Sequence, residues 1–290
     1  MDSLTQFVKW FNLGDSNIEL STANVRSMSA DITHATISSF CDHRDWIGVS
    51  ELGKPAVLLG LKKLGITLDT LTPARKMNMF FGNAFEAGLI ALMRARGLLI
   101  HTQTPLDFNG IPGHIDMLVD GCVVEVKTMS EGYFRQFTET MNDDRGYITQ
   151  LAVYSHCVGA PGVFLCYDKA ATVHDDKTPL RLITPPPNLL EERLARAVDV
   201  VGTLDSIVCL HDIFEYMEPP APRAEIYRGN ETGNYLIPEC MKYTAARHIF
   251  YKIEDALNGY KKPTSYIVGI NTYDEAMEVL HELGLSPQEL

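Results

Sequence analysis

Four ionisable side chains interrupt an otherwise apolar, β-branched segment, "GHIDMLVDGCVVEVKT" at residues 113–128: His114, Asp116, Glu125 and Lys127. Asp120-Gly121, between two apolar runs, signals a tight hairpin turn whose central residues both need positive φ. With those two residues as the loop, Val119 faces Cys122, Leu118 faces Val123, Met117 faces Val124 and Asp116 faces Glu125. Further out, Ile115 faces Val126 and His114 faces Lys127. Side chains alternate across a strand, so Ile115, Met117, Val119, Cys122, Val124 and Val126 form one apolar face. The other face collects His114, Asp116, Glu125 and Lys127, with Leu118 and Val123 nearer the turn.

Directly opposed residues have Cβ atoms about 4.5–5.5 Å apart, and like charges placed so are destabilising. A divalent cation held by Asp116 and Glu125 converts that repulsion into ligation, and hard cations such as Mg²⁺ prefer oxygen ligands. Lys127 shares the face, where an ammonium can orient or activate a water or steady charge developing on phosphorus. The competing reading of these residues alone is a solvated hairpin face with an incidental Glu–Lys pair.

The elements around the hairpin read as follows. The first eighty residues are mostly helical; "GKPAVLLGLKKLGI" has apolar residues at helical spacing and a stop at Gly65. "MNMFFGNAFEAGLIALMRARG" predicts a helix from about Gly82 to Arg96, closed by Gly97. That helix is so apolar that the carboxylate of Glu86 stands out. A strand near "LLIHTQTPL" and an Asn109-Gly110 turn lead into the hairpin. "YITQLAVYSHCVG" predicts a second helix ending at Gly159, with Gln150 and Tyr154 at i and i+4 on one face. "GVFLCY" is an apolar strand.

After the prolines at 185–187, Asn188 can cap a helix carrying Leu190, Leu194, Ala197 and Val201. "MEPPAPRAE" reads as a linker. The last seventy residues predict a helix around "CMKYTAARHIFYKIEDALNG", a strand "SYIVGI" and a closing amphipathic helix "TYDEAMEVLHELG". This order predicts an α/β fold: a central mixed sheet carrying the acidic hairpin, flanked by the Glu86 and Gln150 helices, with helical extensions at both ends.

The 290 residues suffice to bury a sizeable core, and 46% apolar content is that of a globular chain. No apolar run reaches membrane-spanning length and "MDSLTQFVKWF" lacks the pattern of a signal peptide. The six cysteines are scattered without paired spacing, as expected for reduced thiols of a soluble, cytoplasmic protein. A net charge of −12 disfavours broad electrostatic binding to nucleic acid. An enzyme that draws metal ions to an acidic site needs only a local basic path, for which Lys54, Lys62, Lys63, Arg75, Lys76, Arg94, Arg96, Lys242, Arg247, Lys261 and Lys262 are candidates.

Four features, in this order, resemble the PD-(D/E)XK nuclease superfamily. They are most similar to its RecB-like branch, which includes phage lambda exonuclease and the CRISPR-associated exonucleases. D-x8-E-x-K is Asp116…Glu125-Val126-Lys127, the upstream helix motif G-x3-E is Gly82…Glu86, and the downstream Q-x3-Y is Gln150…Tyr154. "SELGKPAVLLGLKKLGI" resembles the entry segment of such proteins. The resemblance implies a restriction-endonuclease-like core at 79–215, with extensions at 1–78 and 216–290.

It further implies that Asp116, Glu125, Glu86 and the Val126 carbonyl ligate one or two Mg²⁺ or Mn²⁺ ions, and that Lys127 positions or deprotonates the attacking water. Gln150 and Tyr154 then hold a nucleic-acid strand or order the site, Arg145 reaches a phosphate, and His114 lies beside the site. Relatives with an iron–sulfur cluster bind it through four cysteines. Here Lys54 holds the entry position, and Tyr243 and Ile249 follow Cys240 where two further ligands belong, so no cluster is expected.

The activity this implies is a metal-dependent deoxyribonuclease. The expected form is an exonuclease resecting double-stranded ends or single strands of DNA in recombination, repair or phage DNA processing, with a single-strand-annealing partner or ring-forming copies as possible companions. A structure- or sequence-specific endonuclease on the same core, and a catalytically silent DNA-binding or assembly subunit, are the alternatives.

Overall fold

The computed structural model describes residues 1–13, 20–41, 46–66, 73–143, 145–171, 178–221, 223–227, 230–236, 247–256, 264–270, 272–282 and 286. Strands β1 (Ile100–Phe108), β2 (Ile111–Val119), β3 (Cys122–Met129), β4 (Gly162–Asp168) and β5 (Leu180–Ile183) form a five-stranded sheet in that order. Only the β3–β4 pair is parallel; the other three pairs are antiparallel. The turn residues Asn109 and Gly110 have φ of 51° and 84°, and Asp120 and Gly121 of 52° and 71°, the signs a two-residue hairpin loop demands. A parallel pair needs a crossover, supplied here by α5 (Glu131–Thr140) and α6 (Tyr147–Val158). Buried on both faces, β3 and β4 read as nearly continuous apolar runs.

Helices cover both faces. On one, Leu4, Phe7 and Val8 of α1 (Asp2–Leu13) join Leu89, Ile90 and Met93 of α4 (Pro73–Ala95) over Met117, Val119, Cys122, Val124 and Val126. On the other, α3 (Ala56–Lys63), α5, α6, α7 (Pro187–Ser206) and α8 (Leu210–Tyr216) pack over Ile115, Val123, Phe164 and Cys166. Helix α2 (Thr22–Cys41) lies along α4. Beyond α8 come two small antiparallel pairs, Arg223–Tyr227 with Asn230–Leu236 and Tyr251–Ala256 with Thr264–Gly269. Ile249, Phe250, Tyr251, Ile270, Ala276 and Leu280 tie this part to the α6–α7 core.

Several expectations are corrected. The helix expected over 240–259 is, where described, a single helical turn at Arg247–Phe250 followed by the strand Tyr251–Ala256; residues 240–246 and 257–259 lie outside the described residues. Tyr251–Ala256 pairs along its whole length with a β-branched partner, and tertiary pairing overrides its helical spacing. Helix α7 starts at Pro187 with Pro186 as its cap, so Asn188 lies inside the first turn; proline at the first position has no N–H to leave unsatisfied. Helix α4 begins at Pro73, well before Gly82.

The hairpin register holds only near the turn, at Val119↔Cys122, Leu118↔Val123 and Met117↔Val124. The expected pairs Asp116–Glu125, Ile115–Val126 and His114–Lys127 do not form. Nor does Ile115 share the Met117 face: it is buried in the core on the α6 side. The cause lies in β1. The β1–β2 pairing runs from Ile100↔Val119 to Thr102↔Met117, omits Gln103 opposite Asp116, and resumes at Thr104↔Ile115. Gln103 has φ 51°, a left-handed conformation that costs a non-glycine residue on the order of 1–3 kcal/mol.

One close approach anchors α6. A Cβ on Gly53 would lie 2.2 Å from Gly146 Cα, and Gly146, at φ 79°, is the residue that enters the helix. Two bare backbones fit where no side chain does. By contrast, a Cβ on Gly82 would meet only Thr128 Oγ1, at 3.6 Å. Gly53→Ala is therefore expected to lower stability in urea unfolding by about 1–3 kcal/mol through overpacking. Gly82→Ala should leave it unchanged or raise it by up to about 1 kcal/mol, as for glycine replaced inside a helix.

Candidate active site

Past Met117 and Val124 the hairpin strands part. β2 stays with β1 through Thr104↔Ile115 and Pro105↔His114, while β3 stays with β4 through Glu125↔Phe164 and Lys127↔Cys166. Asp116 turns its carboxylate into the wedge, where Oδ2 accepts the Val126 N–H at 3.3 Å. Parting the strands gives this carboxylate a backbone donor, while its side chain remains beside the Glu125 carboxyl.

Glu125 is 1% exposed. Its Oε1 accepts from Lys127 Nζ at 2.5 Å, whereas its Oε2 is buried and meets no hydrogen-bond donor of the protein. Lys127 Nζ also donates to Gln150 Oε1 at 3.2 Å and stands 4.6 Å from the centroid of the Tyr147 ring. Gln150 Nε2 in turn donates to Tyr154 Oη at 3.1 Å. Gln150 and Tyr154 thus reach the strand ends from one helical face, as their spacing predicted. Glu86, half-buried on α4, completes the group from the other side of the sheet, and its Oε1 accepts from Gln103 Nε2 at 3.5 Å.

Charge is crowded here. Burial, and then the Asp116 charge, pushes the Glu125 carboxyl up to about 8. Burial also raises Asp116, against the pull of Lys127. Glu86 is held well above the ordinary carboxyl range by burial and by Asp116 and Glu125. Burial opposes the Lys127 charge, but Glu125 and Asp116 outweigh it and hold the ammonium above its usual range. Three carboxyls against one ammonium leave the cluster short of positive charge.

Other candidates lie farther out. His114 is exposed and paired with Pro105 on the β1 side. Arg145 is exposed just before α6, stacked 4.4 Å over the Tyr133 ring, with Nη1 3.4 Å from Tyr147 Oη. Lys54 and Lys62 pair with Glu51 at 2.8 and 2.7 Å, so Glu51 stays below its ordinary value despite burial. Lys63 donates to the Leu204 carbonyl, Arg94 faces Asp31 at 3.9 Å and Arg96 stacks on Trp10. Lys242, Lys261, Lys262, Cys240 and Tyr243 lie outside the described residues, and Ile249 is a buried core residue.

Three contributors escaped sequence reasoning. Asp143 caps α6, its carboxylate accepting the Tyr147 and Ile148 N–H groups at 2.8 and 2.6 Å; the "D-D-R-G-Y" context is the signal that could have shown it. Tyr147 was in plain view but had no spacing to single it out, and Gln103 carries no local signal at all.

The residues present fit a divalent cation. The buried Glu125 Oε2 without a donor, the Asp116 carboxylate beside it and the nearby Glu86 are hard oxygen donors in want of positive charge. Another group among the described residues, His211, Asp212 and Glu215, brings its ligand atoms within 4.8 Å of one another at the surface, a spacing that Asp116, Glu125 and Glu86 together do not reach. There Asp212 already caps α8 through the Val208 and Cys209 N–H groups. Among the described residues no helix is long and apolar enough to cross a membrane.

No protein-family model and no curated protein matches this chain. Among solved structures it is similar to LHK-Exo in complex with dAMP, at 16% identity and a TM-score of 0.40, covering 60% of this chain and 93% of that one. It is also similar to an alkaline exonuclease, LHK-Exo, from Laribacter hongkongensis, at 16% identity and a TM-score of 0.34, covering 63% and 93%. Likeness at this level carries no function across, and the reading below stands on the hairpin site.

Folded Glu125 loses its proton near 8 rather than near 4.5, so within that window the native protein binds more protons than the unfolded chain. Stability of the metal-free protein then falls as pH rises. Lys127 adds no slope there, because it keeps its charge in both states below its unfolded value. The melting temperature in EDTA should decline between about pH 5 and about pH 8, saturating Mn²⁺ should flatten the profile, and Glu125→Gln should make it shallower without metal. A level wild-type profile in EDTA would contradict this charge balance.

Proposed function

We propose that the protein is a metal-dependent deoxyribonuclease of the PD-(D/E)XK type, acting as an exonuclease on DNA ends. The observation that supports this most is the buried Glu125 Oε2, which lacks a donor and lies beside a second carboxylate and next to Lys127. The helix motifs of Glu86, Gln150 and Tyr154 converge on the same spot, as the sequence resemblance implies. In this reading 79–215 is the catalytic core, with 1–78 and 216–290 packed on it.

Asp116 and Glu125 would hold a Mg²⁺ or Mn²⁺ ion, with Glu86 and the Val126 carbonyl as further ligands. Such an ion supplies positive charge that makes a bound water nucleophilic near neutral pH and neutralises the phosphorane. The chain's own residues do the rest. Lys127, kept protonated by its carboxylate neighbours, orients the water through its N–H donors and faces the charge developing on phosphorus. Gln150, braced by Tyr154, fixes the Lys127 ammonium, and Tyr147 closes one side of it. Arg145 offers a bidentate donor to a backbone phosphate at the mouth. The water oxygen would bond to phosphorus as the bond to the leaving deoxyribose oxygen breaks, the water's proton passing to bulk solvent and the leaving oxygen taking one from it.

The test is degradation of end-labelled linear and closed circular DNA, single- and double-stranded, with Mg²⁺, Mn²⁺ or EDTA. The expected result is loss from linear ends only, absent in EDTA and reduced by about 10²–10⁴-fold in Asp116→Ala and Lys127→Ala. Cleavage of closed circles would replace exonuclease by endonuclease. DNA binding without cleavage, equal in wild type and both variants, would make the protein a binding subunit.

A further inference from the structure

Gln103 lies in the middle of β1 in a conformation that a strand does not use and that glutamine has no local reason to adopt. Its φ of 51° falls in the left-handed region, where glycine and asparagine are the ordinary occupants. The β1–β2 register is the same before and after it, Thr102↔Met117 and Thr104↔Ile115, so no residue is inserted and the kink does nothing for alignment. What the kink does is local. The one pair it removes is the pair containing Asp116, whose carboxylate instead reaches the Val126 N–H across the wedge. The side chain so displaced carries its amide to Glu86, 3.5 Å away. A strained residue with two separate consequences for two carboxylates of one cluster is a candidate for function rather than error of folding.

We propose that Gln103 is a positioning residue of the metal site: its left-handed backbone releases Asp116 from the β-ladder, and its amide holds Glu86 toward the Asp116–Glu125 pair. The proposal rests on the metal-dependent reading given above. Its chemistry is that of an exposed group beside the ligands, which acts by fixing the direction of a carboxylate that would otherwise turn away from its like-charged neighbours. Glutamine suits the task because its amide donates without adding a fourth negative charge.

The experiment measures Mn²⁺ binding, from the electron paramagnetic resonance of the free ion, in wild type, Gln103→Gly, Gln103→Met, Glu86→Gln and the double variant Gln103→Gly/Glu86→Gln. Thermal unfolding of each in EDTA accompanies it. Glycine takes the left-handed conformation without strain, so Gln103→Gly should melt at or above the wild-type temperature. Its half-saturating Mn²⁺ concentration should nevertheless rise roughly tenfold or more. Gln103→Met keeps the length and loses the donor; it should show the same weakening and guards against a glycine variant that fails to fold. With Glu86→Gln already present, Gln103→Gly should weaken binding no further, since both act through one carboxylate. On DNA, Gln103→Gly should lower kcat with KM little changed.

Wild-type Mn²⁺ affinity in both Gln103 variants, or losses that simply multiply in the double variant, would overturn the proposal while leaving the nuclease reading intact. A wild-type protein that neither binds Mn²⁺ nor cleaves DNA would overturn both.

Discussion

A buried carboxylate, Glu125, beside the half-buried carboxylate of Asp116, with one ammonium to compensate them, sets the terms for the rest of this structure. Glu125 sits in a strand paired on both sides near the turn, so it cannot escape to water, and Lys127 two residues on is the nearest charge that compensates it. The other groups that touch the ammonium come from another element. Gln150 and Tyr147 come from α6, and α6 is held at its entry by the Asp143 carboxylate and by the bare contact of Gly146 with Gly53. Glu86 comes from α4, which packs on the other face of the same sheet. The wedge between β2 and β3 is where these two layers meet.

Such a cluster works against folding. Removing charge from water is costly, and a partner that is one cation short does not repay it. The cost is carried by two large apolar layers, Leu89, Ile90 and Met93 on one side of the hairpin and Val123, Leu151 and Phe164 on the other. The strain at Gln103 is of the same kind: a local expense located where the strand must release Asp116. A protein built only for stability would have run the ladder straight through and filled these positions with apolar residues.

Much of this was legible in the residues. The Asp120-Gly121 and Asn109-Gly110 turns, the central apolar strands, and the helices carrying Glu86 and Gln150 all follow from local chemistry and periodicity, because each side chain there reports its own burial. Asp116, Glu125, Lys127, Glu86, Gln150 and Tyr154, which the sequence resemblance groups together, lie near one another, though Asp116 and Glu125 do not pair across the strands as spacing suggested. The register beyond Met117 was not legible, since alternation assumes a regular strand and the kink at Gln103 comes from tertiary demand. The C-terminal strand Tyr251–Ala256 was read as helix because its brief alternation of Tyr251 and Ile253 with Lys252 and Glu254 lies inside a longer stretch that also fits helical spacing, until its partner is known. Asp143 was missed for a different reason: its value lies in two backbone N–H groups, and only the local D-D-R-G-Y context hints at such a cap.

The most direct test of the central claim is anomalous diffraction from crystals soaked in Mn²⁺, collected near the manganese edge. The account predicts a peak within bonding distance of the Asp116 carboxylate and Glu125 Oε2, with the Lys127 Nζ–Glu125 Oε1 contact retained. A wedge without anomalous density at saturating Mn²⁺, the two carboxyls sharing a proton instead, would contradict it.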